Sequence, residues 1–287
     1  MSHLPKGKWL FVMTKFVCFN GSMYAADTPL LTVQNSGYRY GDGVFETMKM
    51  VNGQIPLADL HFQRLFSSLK FLEICYTFDA SVLHKNIELL CDQNACNELA
   101  RIRLSVFRDG DTSGFAIEAS PASTEVNNWN EFGWNLGLFT HATKTKDELS
   151  NLKSANFLPY VLAARHAEKY NEGDVIVLNT DGLVCDTFRA NIFLIKNGKV
   201  KTPALEQGCV AGVMRSYLVE KLRQLGITIR ESQVRVEDIL NADEVFITNA
   251  VIGIRWMKQF QNKEFGNSMT RQLYEQFISP LFSTANT

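Results

Sequence analysis

Several side chains of this sequence could take part in chemistry, but few stand at a spacing that defines a site by itself. Ser67 and Lys70 have the serine-x-x-lysine spacing of a nucleophile with its base, yet they lie in the middle of an amphipathic helical stretch. The histidines never fall at the spacing of a zinc-binding helix, and no cysteine and histidine cluster has metal-ligand spacing. The sequence therefore predicts no metal site.

Lysines are frequent just before residue 155, at Lys144, Lys146 and Lys153. From spacing alone, this stretch indicates a solvated loop. The glycines at 41 and 43 are only a fragment of a dinucleotide-binding loop, and the sequence has no GxxxxGK[ST] phosphate loop. A nucleotide site is therefore not predicted.

Composition limits the class of protein. With 287 residues, of which 46% are apolar and 21% charged, the chain has the usage of a globular protein of one large or two medium domains. Its 29 basic and 30 acidic residues favour no nucleic-acid partner, and no run approaches the roughly 20 apolar residues that a membrane span needs. The six cysteines are scattered, mostly within apolar runs, which is typical of a protein of the reducing cytoplasm.

The first part of the chain, residues 1–120, is predicted to form an α+β domain. Asn20-Gly21 indicates a hairpin within residues 16–24, and Asn52-Gly53 a second turn into residues 54–57. The other predicted elements are strands over 43–51, 101–107 and 115–119, and helices over 58–73 and 81–94, the second capped by Ser81.

Residues 121–128 are small, polar and proline-bearing, which indicates a linker between two domains. The second domain is then 129–287. Its predicted elements are strands over 135–139, 175–178, 188–196, 199–202 and 244–248, and helices over 155–170 and 210–225.

A set of motifs runs along most of the chain. They are Tyr40-Gly41-Asp42-Gly43-Val44-Phe45-Glu46-Thr47, His61-Phe62-Gln63-Arg64-Leu65, Asn151-Leu152-Lys153-Ser154-Ala155-Asn156, Asp181-Gly182-Leu183-Val184-Cys185-Asp186 leading into Asn191-Ile192-Phe193, Gly212-Val213-Met214-Arg215 and Ala242-Asp243-Glu244-Val245-Phe246-Ile247-Thr248-Asn249-Ala250. In this order they resemble the class IV aminotransferases, the fold-type IV pyridoxal phosphate enzymes. The resemblance implies a two-domain α+β fold, with a smaller N-terminal α+β domain and a larger C-terminal domain that has a β-barrel-like core, usually in a homodimer.

The same resemblance implies roles for particular residues. Lys153 matches the lysine that forms the Schiff base with pyridoxal 5'-phosphate, and a lysine shielded from water is both a nucleophile toward an aldehyde and a general base. Arg64 matches the arginine that binds the cofactor phosphate. Backbone amides at two places are expected to bind that phosphate too, at Val213 and Met214 and at Asn249 and Ala250.

Asp186 matches a position where the family usually has a glutamate facing the pyridine nitrogen. A carboxylate there keeps the ring protonated, so that the cofactor withdraws electrons from the substrate. Because aspartate is one methylene shorter, either the backbone or the ring shifts or the electron withdrawal is weaker. A homologue that binds the cofactor without catalysis is therefore a further alternative.

Three activities share this scaffold, and the contacts to the substrate must separate them. The chain lacks the Arg-x-His carboxylate trap of D-amino-acid aminotransferases after Arg108, and it has Lys49 where branched-chain enzymes usually have an arginine. The motifs at 212–215 and 248–251 look most like those of 4-amino-4-deoxychorismate lyases, which release pyruvate and 4-aminobenzoate for folate synthesis. A branched-chain aminotransferase is the alternative.

The substrate, a small amino-acid-like molecule, is expected near Phe45. Lys49 alternates with Thr47 on a strand and either binds a substrate carboxylate or lies on the solvent face of an edge strand. Arg101 and Arg103 share one strand face, and either binds that carboxylate or forms structural ion pairs.

Overall fold

The computed structural model describes residues 14–283, which divide into two units. The first contains residues 14–126 together with Lys153–Asn156 and Ser283. The second contains Asn127–Leu152 and Phe157–Phe282. Within the described residues, no helix is both long enough and apolar enough to span a membrane.

The first unit is built on an antiparallel sheet with the strand order β2-β1-β5-β4-β3. Its strands are β1 (Phe16–Phe19), β2 (Ser22–Ala25), β3 (Gly43–Val51), β4 (Leu99–Asp109) and β5 (Thr112–Pro121), and its helices are α1 (Ser36–Tyr40), α2 (Ala58–Phe71) and α3 (Ala80–Gln93). Apolar residues of one sheet face, such as Met48 and Ile102, pack with Leu65 of α2 and Leu83 of α3 in a single core cluster. Because side chains alternate along a strand, the opposite face carries the odd-numbered residues of β3 and β4.

The second unit contains a mixed sheet with the order β11-β10-β9-β12-β13-β6-β7-β8, to which β14 adds beside β13. The strands are β6 (Trp134–Lys144), β7 (Asp174–Asn179), β8 (Val184–Thr187), β9 (Asn191–Lys196), β10 (Lys199–Pro203), β11 (Ile229–Ser232), β12 (Glu244–Asn249), β13 (Gly253–Phe260) and β14 (Lys263–Glu264). The helices are α4 (Leu158–Tyr170), α5 (Val213–Gln224), α6 (Val236–Leu240), α7 (Ser268–Leu273) and α8 (Ser279–Phe282). Strands β9, β12 and β13 are buried along most of their length.

Some predicted elements differ from the structure. Helix α3 is capped by Asp79, whose carboxylate accepts the Val82 amide at 2.9 Å, and not by Ser81. The turn at Asn52-Gly53 forms, and the pairing that follows it is an isolated bridge between Val51 and Gln54. Helix α4 begins at Leu158 and not at Ala155, because the preceding residues make β-type hydrogen bonds.

Candidate active site

The segment Lys153–Asn156 lies along the outer edge of β3. The Phe45 amide donates to the Lys153 carbonyl at 2.9 Å, the Ala155 amide donates to the Gly43 carbonyl at 2.9 Å, and Val44 pairs with Ser154. Gly41 has φ +68°, and a Cβ there would come within 2.6 Å of the Asn156 side-chain oxygen. The backbone therefore holds Lys153 at a defined position on the sheet edge, independently of the lysine side chain.

The Phe45 ring contacts two cations. The Lys153 amino group lies 4.6 Å from the ring centroid, and the Arg103 guanidinium lies 3.8 Å from it. Both distances fall within the range of a cation–π interaction. The structure thus brings together three of the residues that the sequence singled out, on the sheet face opposite the helices.

Two further cations belong to this face, at Lys49 and Arg101, which are cross-strand partners. Lys49 is only 1% exposed, so its interpretation as a solvent-facing residue of an edge strand is wrong. Burial lowers the pKa of the Arg101 and Arg103 guanidinium groups, and the charge of Glu118 partly offsets this effect. Arg103 lies 3.8 Å from the Glu118 carboxylate. Among the described residues of this face, Arg101 and Arg103 are two cations beside the Glu118 carboxylate, which favours an anionic ligand.

Arg64 lies on the other side of β3, where α2 packs, and binds the buried carboxylate of Glu46. Its Nε donates to Oε1 at 2.7 Å and its Nη2 to Oε2 at 2.5 Å, which is the bidentate geometry of a strong ion pair. His61 Nδ1 lies 2.7 Å from Oε2. Burial would raise the pKa of Glu46, but the charge of Arg64 and the hydrogen bonds of His61 and Arg64 lower it to about 2.

Asp186, in the second unit, is 2% exposed and has hydrogen bonds to both carboxylate oxygens. The Tyr160 hydroxyl donates to Oδ2 at 2.8 Å and the Val210 amide at 2.9 Å, while Asn191 Nδ2 donates to Oδ1 at 2.8 Å. Lys144 Nζ lies 3.6 Å from Oδ2. Burial raises the pKa of Asp186, and Lys144 and these hydrogen bonds oppose the rise.

Asn191 connects the predicted site residues of the second unit. Its Nδ2 also donates to the Val210 carbonyl at 2.9 Å, and a Cβ at Gly212 would lie 1.9 Å from its Oδ1. Glycine is therefore required at Gly212, directly before α5 begins with Val213 and Met214. Since Asn191 pairs with Thr248 across β9 and β12, the turn at Asn249 and Ala250 begins beside the same residue.

The side chain of Asn249 is used within its own turn. Its Oδ1 accepts the amides of Val251 and Ile252, each at 2.9 Å, and its Nδ2 donates to the Arg189 carbonyl at 3.0 Å. This leaves the backbone, and not the side chain, as the part of Asn249 that a ligand could meet. Helix α5 likewise starts after a residue without a side chain, and the first amides of a helix have no partner within it.

The sequence interpretation missed Glu46, Asn191, Lys144 and Tyr160 as members of these clusters. Because Glu46 and Asn191 lie inside the family motifs, they could have been predicted as hydrogen-bond partners of Arg64 and Asp186. Lys144 belongs to the lysine-rich stretch that the spacing indicates to be a solvated loop, but it is the buried last residue of β6. Tyr160 lies on α4 and gave no signal in the sequence.

Replacing Glu46 with glutamine is expected to weaken the acid dependence of stability. In the wild type, the Glu46 carboxylate contributes fully above its ordinary pKa of 4.5, and about 3 kcal/mol is lost as the pH falls toward 2. The wild type and the variant are compared by the slope of the unfolding free energy with pH. Absolute stability is not the readout, because loss of the buried ion pair lowers stability at every pH. Urea unfolding from about pH 6 to about pH 2 measures this slope.

Glu88→Gln is the matched control, because Glu88 also pairs with a histidine, His84 at 3.3 Å, but in an exposed position. Its effect should stay below about 1 kcal/mol. Equal slopes for the wild type and Glu46→Gln would contradict the role assigned to Glu46.

Comparisons with known proteins bear on what these clusters do. Residues 43–260 match the family model described as amino-transferase class IV. An aminodeoxychorismate lyase of Bacillus subtilis is 27% identical over 259 residues, which are 86% of this chain and 87% of that protein. A D-alanine aminotransferase of Listeria monocytogenes is 24% identical over 278 residues, covering 92% of this chain and 96% of that protein.

Among solved structures, the branched-chain aminotransferase of Thermoproteus uzoniensis with norvaline has a similar fold. The TM-score is 0.82 at 22% sequence identity, and the match covers 94% of this chain and 96% of that chain. At this level of identity, the similarity is one of fold.

Proposed function

Because the chain belongs to the class IV amino-transferase family, we propose that it is a pyridoxal phosphate-dependent 4-amino-4-deoxychorismate lyase. The reaction would eliminate pyruvate and leave 4-aminobenzoate. We also propose that it acts in the cytoplasm, which the scattered cysteines favour, and as a homodimer, which the family resemblance implies. The observation that carries the choice of substrate is the cationic sheet face around Phe45.

The residues present have the chemistry that the cofactor requires. Lys153 Nζ would bind its aldehyde carbon covalently, and Asp186 would accept a hydrogen bond from its ring nitrogen. The phosphate would meet Arg64, the first amides of α5 at Val213 and Met214, and the amides at Asn249 and Ala250. When bound, the cofactor withdraws electrons from the substrate's reacting carbon. The glycine at 212 lets the start of α5 lie against Asn191, which also binds Asp186, so the amides at Val213 and Met214 begin close to that carboxylate's network.

The remaining chemistry belongs to side chains of this protein. Lys153, once displaced from the cofactor by the substrate amine, would take a proton at Nζ and return it later in the reaction. The Phe45 ring, 4.6 Å from that Nζ, limits where the amine can move. Arg103 and Arg101 would orient the substrate through its carboxylates, since a guanidinium binds a carboxylate with two parallel hydrogen bonds.

The cationic face favours the lyase over a branched-chain aminotransferase. Both products of the lyase reaction, pyruvate and 4-aminobenzoate, carry a carboxylate, so the substrate carries two. Leucine has one carboxylate and an apolar side chain, which would have to be buried. Arg101 and Arg103 place two guanidinium groups on this face, so it can bind two carboxylates.

The experiment supplies the purified holoenzyme with aminodeoxychorismate in one assay and with leucine plus 2-oxoglutarate in another. Release of pyruvate with 4-aminobenzoate is expected, and glutamate formation without pyruvate would overturn the proposal. Arg103→Met should lower kcat/KM for the lyase reaction roughly 10- to 100-fold, because a charged hydrogen bond is lost. Arg39→Met, at an exposed residue of α1, is the matched control and should leave kcat/KM unchanged.

A further inference from the structure

Lys144 is a buried lysine that the proposed reaction does not use. It is the last residue of β6, and its Nζ donates to the Ser150 carbonyl at 2.7 Å. The same nitrogen lies 5.2 Å from the centroid of the Tyr160 ring and 3.6 Å from Asp186 Oδ2. Removing an ammonium group from water is costly unless a counter-charge compensates it, so a buried lysine at this position indicates a partner.

The groups around Asp186 identify that partner. Tyr160 on α4, Cys185 on β8 and Cys209 all have a raised pKa, first from burial and then from the negative charge of Asp186. These groups are therefore neutral around neutral pH. Lys144 is the cation among these described titratable groups around Asp186, so the partner of the buried ammonium group is the Asp186 carboxylate.

Tyr160 connects the two charged groups. Its hydroxyl donates to Asp186 Oδ2 at 2.8 Å, and its ring lies beside Lys144 Nζ. With the Val210 amide on the same oxygen and Asn191 on the other, the carboxylate is held from several directions. If the Asp186 carboxylate rotated, it would lose its hydrogen bonds to Tyr160, Val210 and Asn191. The network therefore favours one orientation of this carboxylate.

We propose that Lys144 is a positioning residue which, together with Tyr160, keeps the Asp186 carboxylate ionised and fixed for the ring nitrogen of the cofactor. This inference rests on the proposed function. It explains how a carboxylate one methylene shorter than the family's usual glutamate can serve: a buried ammonium group and fixed hydrogen bonds stabilise the anion. In this role Lys144 acts through Asp186, the charged group beside its Nζ.

The test replaces Lys144 with methionine, which keeps a similar length and removes the charge. The holoenzyme is prepared with pyridoxal phosphate labelled with ¹⁵N in the ring, and the ¹⁵N chemical shift reports protonation of that nitrogen. In Lys144→Met the shift should move toward the neutral ring, and kcat should fall roughly tenfold with little change in KM. The acid limb of the kcat profile should move up by about one pH unit, because a carboxylate without its cation binds a proton more readily.

Lys144→Arg keeps the charge and should restore the ¹⁵N shift in part. Lys146→Met is the matched control, since Lys146 is an exposed lysine nearby in sequence that pairs with Asp181. It should behave as the wild type. If Lys144→Met does not fold, Tyr160→Phe removes one hydrogen bond to Asp186 and should move the shift and the acid limb in the same direction.

A cofactor-loaded Lys144→Met protein with the wild-type ¹⁵N shift and the wild-type acid limb would overturn the inference while leaving the proposed function intact. In contrast, a wild-type protein that cannot be loaded with pyridoxal phosphate would overturn both. The two failures are therefore distinguishable by the first measurement on the wild type.

Discussion

Lys153→Ala is expected to lose at least roughly 10³-fold in the rate of pyruvate release, because the variant lacks both the covalent link to the cofactor and the base that moves protons. Borohydride treatment of the wild-type holoenzyme should attach the cofactor permanently to the peptide that contains Lys153. The same treatment of Lys153→Ala should leave that peptide unmodified. Mass spectrometry of the digested protein measures both outcomes.

Misfolding is not the expected reason for this loss. The segment is held through the Lys153 carbonyl and the Ala155 amide, which the substitution leaves in place. Lys146→Ala provides the control for a lysine change in the same region and should retain wild-type activity. If Lys153→Ala keeps its activity, or if borohydride labels another lysine, the assignment of Lys153 is wrong.

Asp186→Asn is expected to lower kcat by about 10²-fold or more, because a neutral amide cannot stabilise a protonated ring nitrogen. It should also lower stability, since Lys144 would remain buried without its counter-charge, at a cost of about 3–5 kcal/mol. Steady-state kinetics and urea unfolding measure the two effects separately.

The double variant Asp186→Asn, Lys144→Met separates the role in catalysis from the role in folding. Removing both charges should recover much of the lost stability, because a buried ion pair can often be replaced by uncharged groups of similar volume. Activity should stay low. Recovery of activity along with stability would mean that Asp186 serves only the fold.

The fold class was predictable from the sequence, mainly through the ordered motifs, and the two-domain α+β fold of the fold-type IV enzymes is confirmed. Elements with a strong local signal were also predictable. Strand β3 has the bounds that were predicted, and the Asn-Gly pair at 20–21 joins β1 to β2 as expected. In these cases the turn residues and the apolar pattern act over a few neighbouring positions.

Other features depend on partners far away in the sequence. The stretch 155–157 has a helical pattern, but hydrogen bonds to Gly43 and Phe45 hold its beginning in an extended conformation. Alternation along β3 predicted which residues share a face, but it could not show how deeply each side chain is buried, so the burial of Lys49 was missed. Tyr160, which lies 26 residues before Asp186, reaches that carboxylate only through the tertiary fold.

The roles of the cofactor-binding residues stay predictions until they are tested, and so do the domain boundaries around the linker at 121–128. The contacts of these residues decide what each substitution tests. Arg64 binds Glu46, so a substitution at either residue also breaks a buried ion pair.

The position of Lys153–Asn156 leaves the first unit's sheet incomplete during synthesis and in fragments cut before residue 153. These four residues complete the edge of the first unit's sheet, although residues 127–152 of the second unit precede them. A nascent chain that ends at Val126 therefore has β3 as an open edge, with backbone groups ready to pair with another molecule. Fragments made by a single cut near Val126 should aggregate more than the full chain, and this edge closes only when synthesis passes residue 156.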